Sequence, residues 1–162
     1  MKKLLMCLCF TSLLFGITAI SSGEELKTQS ITINPLFYSR NIFNLGYETK
    51  DFLFQLPNTT DQFKIEYAND SYGSWQEVDF YLKYYPFGEM NGIYIAPMIG
   101  AGTANYSFYN TTIKFTGIGI GGALGIKKAF KNGLTFDAGI AAGVVPGVCT
   151  LVFVNTDIGY SW

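Results

Sequence analysis

Apolar and polar residues alternate with a period of two along most of the chain after residue 30. From Leu134 to Val144, every second residue is apolar, whereas the residues between them are Thr, Asp, Gly or Ala. Because successive side chains of a β-strand point to opposite faces, this period predicts strands that separate two different environments. No convincing helical period of 3.6 follows the first 23 residues. The pattern therefore predicts an all-β protein.

Turn-forming residues divide the alternating stretches into eight predicted strands. Clusters such as Asn132-Gly133 and Pro146-Gly147 are typical of turns. The predicted strands are residues 30–38, 42–49, 51–68, 74–86, 92–107, 113–128, 133–145 and 149–162. About 17 residues are available for each strand with its connection, and a membrane-spanning strand needs roughly 9–11 of them. A sixteen-stranded porin would leave no residues for turns and is excluded.

One stretch, residues 50–61, has two interpretations. Phe54 belongs to an even-numbered apolar series and Phe63 to an odd-numbered one, so the parity changes across Pro57. Proline cannot donate to a β-ladder and occurs at edges and bulges. The stretch is therefore either a loop or part of one strand, residues 51–68, with a bulge near Pro57. We predict the bulged strand.

The two faces of the strands indicate an outer-membrane type of barrel. One face carries Gly, Ala, Ser and a few charged residues, which suit the narrow lumen of an eight-stranded barrel. The other face is apolar and uncharged through strands six to eight. In water this apolar face would promote aggregation, whereas a barrel in a lipid bilayer needs an apolar outer face. The residues predicted to face lipid include Ile118, Ile120, Leu124, Phe136, Ile140 and Ile158.

Aromatic residues cluster near the predicted strand ends. Two such groups are typical of the aromatic girdles of membrane barrels, although β-rich proteins contain many Tyr and Phe residues in any case. The group at one end comprises Tyr84, Phe87, Phe130, Tyr160 and Trp162, and the group at the other comprises Tyr38, Tyr72, Trp75, Tyr106 and Phe108.

The N-terminus has the pattern of a secretory signal peptide. Lys2 and Lys3 precede an uncharged apolar run, residues 4–20, and small residues follow. We predict a signal peptide over residues 1–23, cleaved after Ser21 or Gly23, and a barrel domain over residues 24–162; an uncleaved anchor helix is the alternative. Two of the three cysteines lie in the leader, so no internal disulfide is expected in the barrel domain.

Two segments resemble a known family. Residues 158–162, with Ile158, Tyr160 and Trp162 at alternate positions, look like the assembly signal of outer-membrane barrels. Residues 84–95 resemble a strand hairpin of OmpA-like and OmpX-like barrels. The resemblance implies eight antiparallel strands, both termini in the periplasm, and insertion by the barrel assembly machinery into the lipid of a Gram-negative-type outer membrane. Members differ in function, so it implies no active site.

The composition excludes most kinds of catalytic and metal-binding site. The chain has no histidine, which excludes Ser-His-Asp, Cys-His and histidine-metal sites. Its net charge of −1 argues against nucleic-acid binding. Residues 117–122 contain G-x-G-x-x-G, but strand alternation continues through them, whereas a dinucleotide site needs a following helix. We predict no catalytic, cofactor-binding or metal site.

Charged residues on the polar face form the candidate site, a lumen charge network. Buried charges must be paired, so the network is either a salt-bridge plug or a path for protons or ions, and we favour the plug. A hairpin closing near residues 71–72 would place Lys64 opposite Asp79, and Glu66 opposite Glu77. The network comprises Glu48, Lys64, Glu66, Glu77, Asp79, Lys83, Lys127, Asp137 and Asp157, of which Lys127, Asp137 and Asp157 are expected near the periplasmic end.

Three functions are compatible with this sequence. The first is a non-enzymatic outer-membrane barrel with a structural role or a surface partner at loops 69–75 and 105–112. The second is a narrow channel or transporter for small solutes. The third is a secreted soluble barrel that binds an apolar ligand inside.

Overall fold

The chain folds into a closed barrel. The computed structural model describes residues 27–35, 41–50, 52–70, 73–88, 90–108, 111–146 and 149–162, and within them the chain forms eight strands. Each strand pairs antiparallel with its sequence neighbours, and β8 pairs with β1. The prediction of an all-β, eight-stranded antiparallel barrel is confirmed. The strands are β1 (Gln29–Ile33), β2 (Ile42–Thr49), β3 (Thr59–Asp70), β4 (Gly73–Tyr84), β5 (Gly92–Phe108), β6 (Thr111–Ala129), β7 (Leu134–Val145) and β8 (Cys149–Ser161).

The N-terminal predictions lie largely outside the described residues. The predicted signal peptide, residues 1–23, is among the parts not described. The predicted first strand is too long, because β1 ends at Ile33 and Pro35 has no N–H for the ladder; residues 36–40 are not described. In the described part of the chain, no helix is long and apolar enough to span a bilayer.

The barrel closes between its first and last strands. Ile31 is opposite Tyr160, and Ile33 is opposite Ile158. The backbone of Trp162 continues this pairing, because its carbonyl accepts from Gln29 N at 3.1 Å and its amide donates to Gln29 O at 3.0 Å. We call the end of the barrel that holds these residues the terminal end, and the opposite end the distal end.

The predicted bulged strand over residues 51–68 is wrong across its first part. Residues 52–58 form bends and a turn, and β3 begins at Thr59. Asn58 has a positive φ of 58°, a backbone conformation that Asn tolerates better than most residues. Asp61 Oδ2 accepts hydrogen bonds from the amides of Leu53 at 2.5 Å and Phe54 at 3.2 Å. These two backbone amides therefore have a partner without pairing in the β-ladder. The parity therefore changes because a loop intervenes.

Apolar side chains form the outer surface of the barrel. Ile118 and Ile120 are 61% exposed, and Ile140 is 56% exposed. The residues between such positions point inwards and are small, polar or charged. The inside and outside of the barrel are therefore inverted relative to a water-soluble protein, as the alternation predicts.

The aromatic group at the terminal end lies on the outside. Its five members, Tyr84, Phe87, Phe130, Tyr160 and Trp162, are all exposed. At the distal end, one assignment is wrong: Trp75 points into the barrel, where its indole Nε1 donates to Glu66 Oε1 at 2.9 Å. Trp75 has the same parity as Glu77 and Asp79 and so shares their inward face. Tyr38 and Tyr72, and the side chains of Tyr106 and Phe108, lie outside the described residues.

Glycines on β6 make room for large side chains of the neighbouring strands. Gly125 is opposite Tyr94 in the β5–β6 register. A Cβ atom on Gly125 would lie 2.5 Å from the Tyr94 hydroxyl oxygen, so the Tyr94 ring occupies the space above this glycine. The glycine-rich stretch of residues 117–122 continues the same strand without interruption. Because these glycines have no side chains, they leave more space inside the lumen.

Candidate functional site

The structure places all nine residues of the predicted charge network on inward-facing positions of six strands, β2, β3, β4, β6, β7 and β8. Seven of them are more than nine-tenths buried, with Lys64 and Asp79 slightly more exposed than the others of this group, and Glu66 and Glu77 are half-buried. The nine residues do not form one continuous network. They divide into a closed cluster near the terminal end, a middle pair, and an acidic group towards the distal end.

Four charged residues form the cluster near the terminal end, which we call the plug cluster: Glu48, Lys83, Lys127 and Asp137. Lys83 Nζ lies 3.1 Å from Glu48 Oε2 and 2.5 Å from Asp137 Oδ2. Lys127 Nζ lies 2.9 Å from the same Glu48 oxygen. All four side chains are at most 1% exposed. The cluster contains two positive and two negative groups, so it is electrically neutral when all four are ionised.

Neutral hydrogen-bond donors complete the coordination of both carboxylates. Glu48 Oε1 accepts from Thr60 Oγ1 at 2.6 Å and from the Tyr85 hydroxyl at 2.7 Å. Asp137 Oδ1 accepts from the Tyr94 hydroxyl at 2.8 Å. Every carboxylate oxygen of the plug cluster therefore has a partner. Burial of charge in a low-dielectric interior is tolerated under this condition.

Seven strands contribute to the plug cluster and its partners. Lys127 on β6 donates to Ser30 on β1 at 2.7 Å, across the barrel. Tyr85 and Tyr94 pack against each other with ring centroids 5.5 Å apart, and Lys83 Nζ lies 4.3 Å from the centre of the Tyr94 ring. An eight-stranded barrel is only wide enough for side chains to fill it. These side chains therefore fill the terminal half of the lumen.

Lys64 lies in the middle of the lumen. The β3–β4 register places it opposite Asp79 and places Glu66 opposite Glu77, the registers expected from the hairpin. The Lys64 ammonium nevertheless extends across the barrel to β8, where it lies 3.1 Å from Asp157 Oδ2 and 2.5 Å from Asn155 Oδ1. Lys127 similarly is opposite Asp137 but pairs with Glu48. Both lysines therefore pair across the barrel and not with the residue opposite them in the register.

The distal half of the lumen is acidic and partly open. Glu66 is held by Asn44 Nδ2 and Trp75 Nε1, each at 2.9 Å. Within the described residues, Glu77 and Asp79 have no hydrogen-bonding or ion-pair partner. Both line a cavity of about 190 Å³ together with Trp75 and Phe153. Glycines of β5 and β6, the next two strands after β4 in the sheet, also line it.

Several uncharged participants were missed by the sequence analysis. They are Ser30, Asn44, Thr60 and Asn155, each of which bonds a charged residue of the lumen. Inward parity was the available signal for Asn44, Thr60 and Asn155, since each shares a face with a charged residue two or four positions away, whereas Ser30 has no such neighbour. In the described part of the chain, no group of three His, Cys, Asp or Glu side chains is placed to hold a metal ion.

The residues of the predicted assembly signal lie on the outside of the closing strand. Ile158, Tyr160 and Trp162 are all exposed, and the Tyr160 and Trp162 rings stack with centroids 6.3 Å apart. They present a continuous apolar ridge at the terminal end.

Comparison with known proteins finds a likeness in fold. The sequence matches no protein-family model and no curated protein. A solved structure, the N-terminal β-barrel domain of Pseudomonas aeruginosa OprF, superposes with a TM-score of 0.56 at 11% sequence identity. The match covers 84% of this chain and 98% of that domain. The likeness shows that the chain shares the eight-stranded barrel fold of that domain.

Proposed function

We propose that this chain is a small integral outer-membrane barrel with a closed lumen, and that its role in the cell envelope is structural or lies in surface interactions. The observation that carries the proposal is the combination of an apolar exterior with a neutral, fully bonded charge cluster inside. A soluble protein would have the opposite distribution of polarity.

The exterior supports a membrane location. Exposed Ile, Leu, Val and Phe side chains follow every strand on the outer face, and the closed sheet leaves no unpaired strand edge. Both properties are required of a β-structure in the hydrocarbon region of a bilayer. The aromatic residues at the terminal end are suited to the interface between lipid and water. Outer-membrane lipid is accordingly the first proposed partner, and the barrel assembly machinery, acting on Ile158, Tyr160 and Trp162, is the second.

The plug cluster supports a structural role over a conducting one. A path for ions needs groups that exchange partners, whereas Glu48 and Asp137 have all of their oxygens occupied. A role as a general acid or base needs a group with access to a substrate, which these buried carboxylates lack. The absence of histidine from the sequence supports the same non-enzymatic proposal.

A narrow cation channel is the second candidate. The observation in its favour is the acidic cavity in the distal half of the lumen, which would attract cations if the plug cluster opened. The third function considered from the sequence, an internal site for an apolar ligand in a soluble barrel, is disfavoured by the polar lining of the terminal half.

Envelope fractionation and planar-bilayer recording test the proposal together. The protein should fractionate with outer membranes, should migrate differently on gels before and after heating, and should show no steady single-channel conductance. Recovery in the soluble fraction would refute the membrane location. A reproducible open channel whose ion selectivity changes in Lys64→Glu, but not in the exposed-turn control Lys131→Glu, would establish the channel instead.

A further inference from the structure

We propose that the cavity in the distal half of the barrel is a binding site for a small organic cation, an ammonium group attached to an apolar or aromatic body. We call this cavity the distal pocket and define it by Trp75, Glu77, Asp79 and Phe153, with Gly100 and Gly119 beside Asp79 on the neighbouring strands β5 and β6. The site requires only the folded barrel, so it does not depend on the envelope role proposed above.

The ion pairs of the described lumen residues leave the acidic groups of the distal pocket without a bonded cation. Within the described lumen, Lys83 and Lys127 balance Glu48 and Asp137, and Lys64 bonds to Asp157. The remaining lumen charges are the carboxylates of Glu66, Glu77 and Asp79. Glu66 has two hydrogen-bond donors, Asn44 and Trp75, neither of which carries a charge. The distal half of the lumen therefore holds more acidic than basic groups among the described residues.

Asp79 is an unusual group in this setting. It is only 6% exposed, and within the described residues it has neither a hydrogen-bond donor nor an ion pair. Its Oδ1 atom occupies the space where a Cβ of Gly100 would lie, so the carboxylate lies over a glycine and lines the pocket. A buried carboxylate without partners is costly, and a cationic donor entering the pocket would supply the missing charge and hydrogen bonds.

The remaining walls of the distal pocket favour an organic cation over a metal ion. Trp75 and Phe153 contribute aromatic surface, on which an ammonium group gains further attraction. The described residues offer no three-ligand acidic group for a metal. The volume of about 190 Å³ exceeds the roughly 150 Å³ of a protein cavity that holds benzene. One aromatic ring with a short aminoalkyl chain therefore fits.

The probe we choose is 2-phenylethylammonium, with 2-phenylethanol and 3-phenylpropanoate as neutral and anionic controls of similar shape. The chain has two tryptophans, so Trp162→Phe leaves Trp75, in the pocket wall, as the fluorescent reporter. In detergent-refolded protein, the ammonium probe should change the Trp75 emission saturably, and the two controls should not. Competition for a detergent micelle affects all three probes and is corrected by the controls.

Two variants in the Trp162→Phe background distinguish the pocket from general electrostatic attraction. Asp79→Asn should weaken binding about tenfold or more, because it removes a charged acceptor. Asp61→Asn removes the same charge at the terminal end, away from the pocket, and should leave binding unchanged. Gly119→Leu keeps both pocket carboxylates but fills the pocket; its Cβ would lie an acceptable 3.4 Å from Val145 Cγ2, and it should also abolish binding.

The folded state of each variant is checked by its heat-dependent gel mobility. Asp79→Asn should fold at least as well as the parent, because it removes an uncompensated charge, whereas a purely structural aspartate would be needed for folding. Equal binding of the ammonium probe and 2-phenylethanol, or binding that survives in Asp79→Asn, would overturn the proposal.

Discussion

Replacing Lys127 by methionine removes one positive charge from the plug cluster at nearly constant volume. Lys127 is completely buried, and its Nζ contacts Glu48 Oε2 at 2.9 Å and Ser30 Oγ at 2.7 Å. The substitution leaves two carboxylates, those of Glu48 and Asp137, to share the single ammonium group of Lys83. Removing one partner of a buried ion pair typically costs about 3–5 kcal/mol of folding free energy. We expect Lys127→Met to lose that amount.

The companion substitution shows whether the loss comes from the unpaired charge. Glu48→Gln alone should also destabilise the barrel, because it leaves Lys83 and Lys127 with only Asp137 as a negative partner. In the double variant the cluster is again neutral, with Lys83 and Asp137 at 2.5 Å. Complete removal of a buried pair is often close to neutral, so the double variant should be destabilised less than the sum of the two single variants.

Urea unfolding of the refolded protein in lipid vesicles measures these differences. With a urea dependence of about 2 kcal/mol per M, the loss expected for Lys127→Met shifts the midpoint by about 1.5–2.5 M. Lys131→Met, in an exposed turn, is the matched control and should change stability by less than about 0.5 kcal/mol. A Lys127→Met midpoint equal to that of the control, or strictly additive effects in the double variant, would refute the description of the cluster as a mutually dependent plug.

Three further predictions concern the wall of the barrel. Ile140→Arg on the outer face should cost about 2–4 kcal/mol in bilayers if this residue lies near the membrane midplane, and vesicle unfolding without any loss would argue against the lipid-facing surface. Deletion of Trp162 should reduce insertion in cells and leave a protease-sensitive periplasmic form, which fractionation and protease treatment detect; normal insertion would contradict its role as an assembly signal. Gly125→Ala should cost about 1–3 kcal/mol by overpacking against Tyr94, whereas Gly143→Ala, whose Cβ would lie 3.5 Å from its nearest neighbour, should be tolerated; equal unfolding midpoints would contradict this packing.

The strands and their two faces could be predicted because they depend on a local property. Alternation with a period of two is imposed by the backbone of each strand, and neighbouring strands joined by short turns pair with little choice of register. The position of Lys64 opposite Asp79 follows from where the β3–β4 hairpin closes. The inward orientation of Trp75 follows from the same parity rule, so that error came from assigning an aromatic residue by its distance from a turn alone.

The loop before β3 could not be settled from the pattern. A bulge and a loop both reverse the parity of the residues that follow, and Pro57 is compatible with either. Asp61 favours the loop, because its carboxylate accepts hydrogen bonds from two backbone amides of the loop. This contact joins residues seven and eight positions apart, and nothing in the apolar pattern encodes it.

The pairing of charges inside the lumen was beyond prediction for a different reason. Cross-strand register identifies neighbours on one wall, but the partners of Lys64 and Lys127 lie on strands that become close only after the barrel closes. Lys64 and Asp157 are 93 positions apart in the chain. Closure therefore determines which acids are neutralised and which, like Asp79, are left without a partner. The sequence analysis identified the members of the charge network, whereas the division into a neutral plug cluster and an acidic distal pocket is a property of the closed barrel alone.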